Sequence, residues 1–144
     1  MKRIPLYLLL IFLGGAIGCT PKSIPPPAAP EGYFSGQFML IRLHPTTGMY
    51  DTVKTNLNIS MALATGYKVT GDTLKVHAGS FGAYAVSANN YIQFADSTYP
   101  ANGWPTKIHL AGIYRYYYDG TTFQLLYTFP YDTLSYRYNF KKVN

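Results

Sequence analysis

Between Thr52 and Leu63 the chain alternates almost strictly, with Val53, Thr55, Leu57, Ile59, Met61 and Leu63 on one side and Lys54, Asn56, Asn58, Ser60 and Ala62 on the other. A period of two belongs to a β-strand, because successive side chains of a strand point to opposite faces, whereas a helical face repeats every 3.6 residues. One face of this segment therefore needs a core and the other meets water. Similar runs extend over 33–43, 66–70, 74–78, 81–87, 91–95, 107–118, 121–129 and 133–142. Gly71-Asp72, Asn89-Asn90 and Asp119-Gly120 fall between consecutive runs. Such pairs tolerate the positive φ values of tight hairpins, so neighbouring strands are expected to pair antiparallel.

The fold class expected is all-β, an antiparallel up-and-down meander of about eight or nine strands. A meander of that length either curls closed or divides into two packed sheets. The closed barrel is the reading favoured here, with a two-sheet β-sandwich as the alternative. Composition agrees: 15 Tyr, 8 Phe and one Trp make 17% aromatic content against 12% charged, and aromatics favour half-buried pleated surfaces. The inward set is expected to include Phe34, Phe38, Leu40, Leu57, Ile59, Tyr67, Val69, Leu74, Val76, Ile108, Leu110, Tyr114, Tyr116, Leu134, Tyr136, Tyr138 and Phe140. Gly112, inside a long run, marks a bend or a close approach of two backbones.

Ahead of this body lies a different kind of sequence. Lys2-Arg3 precede an uncharged run from Ile4 to Ile17, followed by Gly18 and Cys19, the single cysteine. As a helix the run would rise about 21 Å, short of the roughly 30 Å hydrocarbon core, so it reads as a cleaved secretory signal over 1–18 and not as a permanent span. Five prolines from Pro21 to Pro30 favour extended polyproline II, so 19–31 reads as a spacer and 32–144 as the β domain.

Gly14-Gly15-Ala16-Ile17-Gly18-Cys19 resembles the lipobox of bacterial lipoproteins. The resemblance implies that the Cys19 thiol becomes a diacylglyceryl thioether and, after cleavage, the acylated N-terminus, carrying chains such as palmitate. Two or three acyl chains hold a protein on a membrane where one does so only marginally. Ala16 stands where that family usually has Leu, and Ala16-x-Gly18 also suits ordinary signal cleavage. Thr20, and not Asp, follows the cysteine, which in such lipoproteins implies the outer membrane.

Gly32-Tyr33-Phe34-Ser35-Gly36-Gln37-Phe38, with Leu110 to Tyr116 and Tyr136 to Lys142 in the closing strands, is similar to small lipocalin-like bacterial lipoproteins. The resemblance implies a calycin-type barrel and a ligand cavity. The Gly-x-Trp signature of true lipocalins is absent, with Tyr33 and Phe34 near its place.

Catalytic chemistry finds little support in the residues. The six acidic residues, Glu31, Asp51, Asp72, Asp96, Asp119 and Asp132, fall at expected strand ends, turns or the spacer, where Asp commonly closes backbone hydrogen bonds. A glycosidase would need two carboxylates converging on one sugar. His77 alternates with Leu74 and Val76, and His109 with Ile108 and Leu110, so both are expected to face solvent; His44 lies in a loop. Three or four convergent metal ligands are not apparent. Neither Ser35 nor Ser80 has a Gly-x-Ser-x-Gly setting. A non-enzymatic protein with no metal and no cofactor is expected. Of the formal net charge of +6, Lys2 and Arg3 contribute two, and the remaining basic residues are scattered without the dense stripe of a nucleic-acid binder.

Two features stand out as candidates for binding. The longest interruption of the strands, 96–106, carries Tyr99 and Trp104; an aromatic ring there either stacks on a ligand at a barrel mouth or plugs the open end. Tyr114, Tyr116, Tyr136 and Tyr138 place phenols on the inward face, where they line a small polar cavity or act as bulky filler. The expected function is therefore a membrane-anchored, non-catalytic barrel binding a small apolar or amphipathic ligand. A rival reading is an interaction subunit docking on an outer-membrane protein through outer aromatics such as Tyr117 and Tyr127, and a third is a carbohydrate-binding module using Tyr99 and Trp104.

Overall fold

A computed structural model of the protein describes residues 28–102, 104–130 and 133–143. Eight strands run up and down and close into a barrel: β1 (Gly32–Leu43), β2 (Tyr50–Ala62), β3 (Gly66–Gly71), β4 (Phe81–Val86), β5 (Tyr91–Asp96), β6 (Gly112–Tyr118), β7 (Thr122–Thr128) and β8 (Leu134–Val143). Each pairs antiparallel with the next, and β1 pairs with β8 from Tyr33↔Val143 to Arg42↔Leu134. Closure through the β1–β8 ladder joins the two edges of the sheet. The expected closed barrel is the fold observed, and its shape is compatible with a lipocalin-like domain; the sandwich alternative is excluded.

Period-two alternation fills the interior. Phe34, Phe38 and Leu40 of β1, Leu57, Ile59 and Met61 of β2, Tyr67 and Val69 of β3, and Tyr84 of β4 are buried. So are Ile92 and Phe94 of β5, Tyr114 and Tyr116 of β6, Phe123 and Leu125 of β7, and Tyr138 and Phe140 of β8. An eight-stranded barrel is narrow enough for side chains to fill it, and rings meet edge-on across this one, as Tyr67 does Phe94 and Tyr114 does Tyr138. The β1–β8 seam is tight at Gly36, where a Cβ would fall on the carbonyl oxygen of Asn139.

The two ends of the barrel differ. At one end short turns join β2 to β3, β4 to β5 and β6 to β7. In the last of these Asp119 accepts hydrogen bonds from the backbone N–H of Thr121 and Thr122 at 2.9 and 2.6 Å, and Gly120 supplies φ of 94°. The chain enters at this end and lies across it. Pro30 is buried, its carbonyl accepts from the Tyr84 hydroxyl at 2.8 Å, and Glu31 accepts from the Leu63 N–H at 2.9 Å. This is the closed end.

At the other end the connections are long, above all 72–80 and 97–111. The nine alternating runs give eight strands, within the expected eight or nine, and the difference arises here. The run 74–78 makes only an isolated parallel bridge, His77↔Ile108, instead of a ladder, and Leu74, expected inward, is 83% exposed. The run 107–118 divides at Gly112, whose φ of 94° turns the chain from loop into β6; open space surrounds the missing Cβ, so the glycine serves the bend and not a close approach.

The two long loops dip into the barrel together. Ile108 accepts from the Ala78 N–H and donates to Val76 O, at 2.8 and 2.9 Å. Leu110 is fully buried; its N–H donates to Ser80 Oγ at 3.1 Å and its carbonyl accepts from the Tyr67 hydroxyl.

Candidate functional site

A cleft of about 890 Å³ opens at the long-loop end. Its walls continue the inward rows of the strands past the core. Arg42 follows Leu40 on β1, Tyr127 follows Leu125 on β7, Leu134 and Tyr136 precede Tyr138 on β8, and Tyr114 of β6 lies at its inner limit. The 97–111 loop contributes Tyr99, Trp104, Lys107 and His109. Tyr127 packs between Tyr114 and Tyr136 at centroid distances of 5.6 and 6.0 Å, and Phe129 stands edge-on to Tyr136 at 5.2 Å. One wall is thus a continuous aromatic surface.

Four of the six tyrosine and tryptophan candidates meet in this cleft: Tyr99, Trp104, Tyr114 and Tyr136. Trp104 is 93% exposed, so it does not plug the barrel; that place is taken by Leu110 and His77, which the paired loops carry inward. Tyr127, expected on the outside, belongs to the cleft wall because it continues the inward row of β7. The other two candidates lie elsewhere. Tyr116 is near the closed end, its hydroxyl 3.5 Å from the carbonyl of Ala28. Tyr138 is sealed in the core, where burial raises its phenol pKa well above the ordinary value. Cys19, the expected lipid attachment point, lies outside the described residues.

Both strand-region histidines depart from the expectation that they face solvent. His77 is fully buried. Its Nδ1 lies 2.6 Å from Ala78 O and its Nε2 2.9 Å from the Tyr138 hydroxyl. A carbonyl can only accept, so the neutral ring carries its proton on Nδ1 and accepts a hydrogen bond at Nε2 from the Tyr138 hydroxyl. Desolvation lowers the His77 pKa to about 4, which keeps the ring neutral at pH 7. His77 departs from the alternation of its neighbours because the bridge to Ile108 turns it into the barrel.

His109 forms a dyad with Asp96. Its Nδ1 is 2.7 Å from Asp96 Oδ2, and the two side chains are 10% and 0% exposed. Asp96 does close a turn after β5, accepting from the Thr98 N–H and hydroxyl through Oδ1 at 2.8 and 2.7 Å. Its second oxygen is left for the imidazole. Burial opposes the charge of this carboxylate, but the hydrogen bonds from Thr98 and His109 outweigh it and hold its pKa below the usual value. Tyr99 packs edge-on against the imidazole at 5.4 Å.

With Nδ1 committed to a carboxylate acceptor, neutral His109 presents Nε2 as an acceptor. Nε2 has no hydrogen-bond partner among the described residues and is not sealed from solvent, and His109 forms part of the cleft wall. Among the described residues no three of His, Cys, Asp and Glu converge as metal ligands. Lys107, also on the wall, donates to Thr73 O at 3.0 Å, which fixes its ammonium at the rim.

Sequence reasoning missed this dyad, Ser80 and the burial of His77. Asp96-x-Thr98 does carry a turn signature, but nothing local announces that His109, 13 residues on, returns to it. Comparisons with protein families, with curated proteins and with solved structures give no match for the chain.

Proposed function

We propose that the protein is a lipid-anchored, non-catalytic binding module whose open-end cleft takes a small apolar or amphipathic molecule. The observation that carries this reading is the convergence of Tyr99, Trp104, Tyr114 and Tyr136, from separate strands and one loop, on a single cleft of about 890 Å³. That volume suits a small molecule, and a mostly apolar and aromatic lining with a few placed polar groups is the usual make-up of such sites. The packed core beneath confines a ligand to the upper part of the barrel.

The anchor follows from the lipobox-like leader and the single thiol at Cys19. Because the chain enters at the closed end, a tether from Cys19 draws on that end and leaves the cleft on the opposite face. Attachment to the outer membrane is part of the same reading.

Mass spectrometry of the protein extracted gently from native membranes tests both parts. The expected result is an N-terminus at Cys19 carrying diacylglycerol, together with a small molecule released on denaturation. An unmodified Cys19 removes the anchor. An empty protein that also takes up no apolar probe removes the ligand.

A second reading, docking on another outer-membrane protein, has one observation in its favour. Tyr117 lies exposed beside Arg115 and Arg137 in a groove of about 470 Å³ on the outer face of β6 to β8. Loss of a captured protein partner on Tyr117→Ala, with small-molecule binding unchanged, would favour it.

A further inference from the structure

We infer that the cleft is built for an amphiphile with an acidic head, held at His109, Arg42 and Lys107 while its apolar part lies along the aromatic wall. The inference rests on the cleft being a ligand site and names the class of ligand it takes.

Arg42 and Lys107 both line the cleft, and no Asp or Glu does so among the described residues, although Asp51 stands opposite Arg42 in the β1–β2 ladder. The side chain of Asp96, the carboxylate beside His109, is fully buried and saturated by Thr98 and the imidazole. It therefore supports His109 without repelling an anion from the cleft as an exposed carboxylate would.

The dyad also fixes what His109 does. With Asp96 accepting from Nδ1, a neutral ring meets a protonated acid as an acceptor at Nε2, and a protonated ring meets a carboxylate as a donor there. These are the same complex with one shared proton: the acid O–H proton passes to Nε2, or remains on the acid. Either way Nε2 makes one hydrogen bond to an acidic head.

Other groups surround this contact. Asp96 and the Tyr99 ring adjoin the imidazole, and His77 lies behind it, close enough for the two charges to oppose each other. Across the cleft are Arg42, Lys107 and the phenols of Tyr114, Tyr127 and Tyr136.

The test compares dodecanoic acid with dodecanol on the full-length mature protein in mild detergent, by calorimetry at pH 7. The expected preference for the acid is about tenfold or more, as for hydrogen bonds to a charged group. His109→Gln and Arg42→Gln, the latter at an exposed site, are each expected to lower acid affinity and to leave dodecanol affinity unchanged. Retained dodecanol binding shows that each variant is folded. Equal affinities for acid and alcohol, or a preference unaltered in both variants, overturn the headgroup assignment and leave the cleft reading standing. If neither compound binds, the cleft reading fails and this inference fails with it.

Discussion

The two ends of this barrel are built from the same inward rows of side chains and do opposite things with them. At the closed end the rows finish in contact: Phe34 meets Tyr118 and Phe123 at 5.9 and 5.4 Å, and the entering chain is tied down by Tyr84. At the open end Arg42, Tyr127 and Tyr136 continue past the core and line open space. The difference comes from the connections. Short turns cannot reach across a barrel mouth, so the entering segment covers it, whereas the long loops descend on one side and leave the other as a cleft. Stability is therefore expected to concentrate at the closed end and function at the open one.

The largest effect expected from this contrast is Phe34→Ala, which empties a fully buried ring site at the closed end. Chemical denaturation should show a loss of about 3–5 kcal/mol. A loss under about 1 kcal/mol would mean that the closed end is not the stable part.

Acid comes next, through His77 at the base of the loop plug. Its pKa in the fold is about 4, lowered from 6.5 chiefly by burial. As pH falls below about 6.5 the unfolded chain takes up the proton first, so stability is full above that pH. It declines down to about 4, by on the order of 3 kcal/mol. In His77→Gln the denaturation midpoint should lose most of this dependence. The Asp96 carboxylate, whose pKa is lowered, adds a second decline only at still lower pH, as its hydrogen bonds are lost on protonation.

A smaller effect is expected from Tyr84→Phe, which leaves the buried carbonyl of Pro30 without its hydroxyl donor. The cost should be about 1 kcal/mol, with faster hydrogen exchange over 28–34 and none of that change at the cleft. The smallest change in stability belongs to Trp104→Ala. A side chain 93% exposed should alter stability by no more than about 0.5 kcal/mol, while uptake of an apolar probe falls. A large loss of stability would place Trp104 in the core after all.

The closed end was also the more legible of the two in the sequence. The alternation in β1 and β2 predicts Phe34, Phe38, Leu57 and Ile59 as core, and Asp119-Gly120 predicts its hairpin, because both signals are local. Gly112 predicts the bend before β6. The open end depends on contacts between distant segments. His77 was read as a surface residue since its neighbours alternate as in a strand, and only the bridge to Ile108 turns it inward. Asp96 reads as a turn residue and His109 as solvated, and only the return of the 97–111 loop makes them a dyad. Loop packing leaves no periodic trace, so Tyr99 and Trp104 could be marked as candidates but their shared cleft could not.

Trp104 is the single tryptophan of the chain, which makes its fluorescence a direct report on the cleft. Titration of the mature protein with dodecanoic acid, below its micelle concentration, should move the emission of this exposed ring to shorter wavelength in a saturable way. Tyr136→Ala should weaken that response. An emission spectrum unchanged by the acid, by dodecanol and by an extract of the native membrane lipids would contradict the claim that the open end is a binding site.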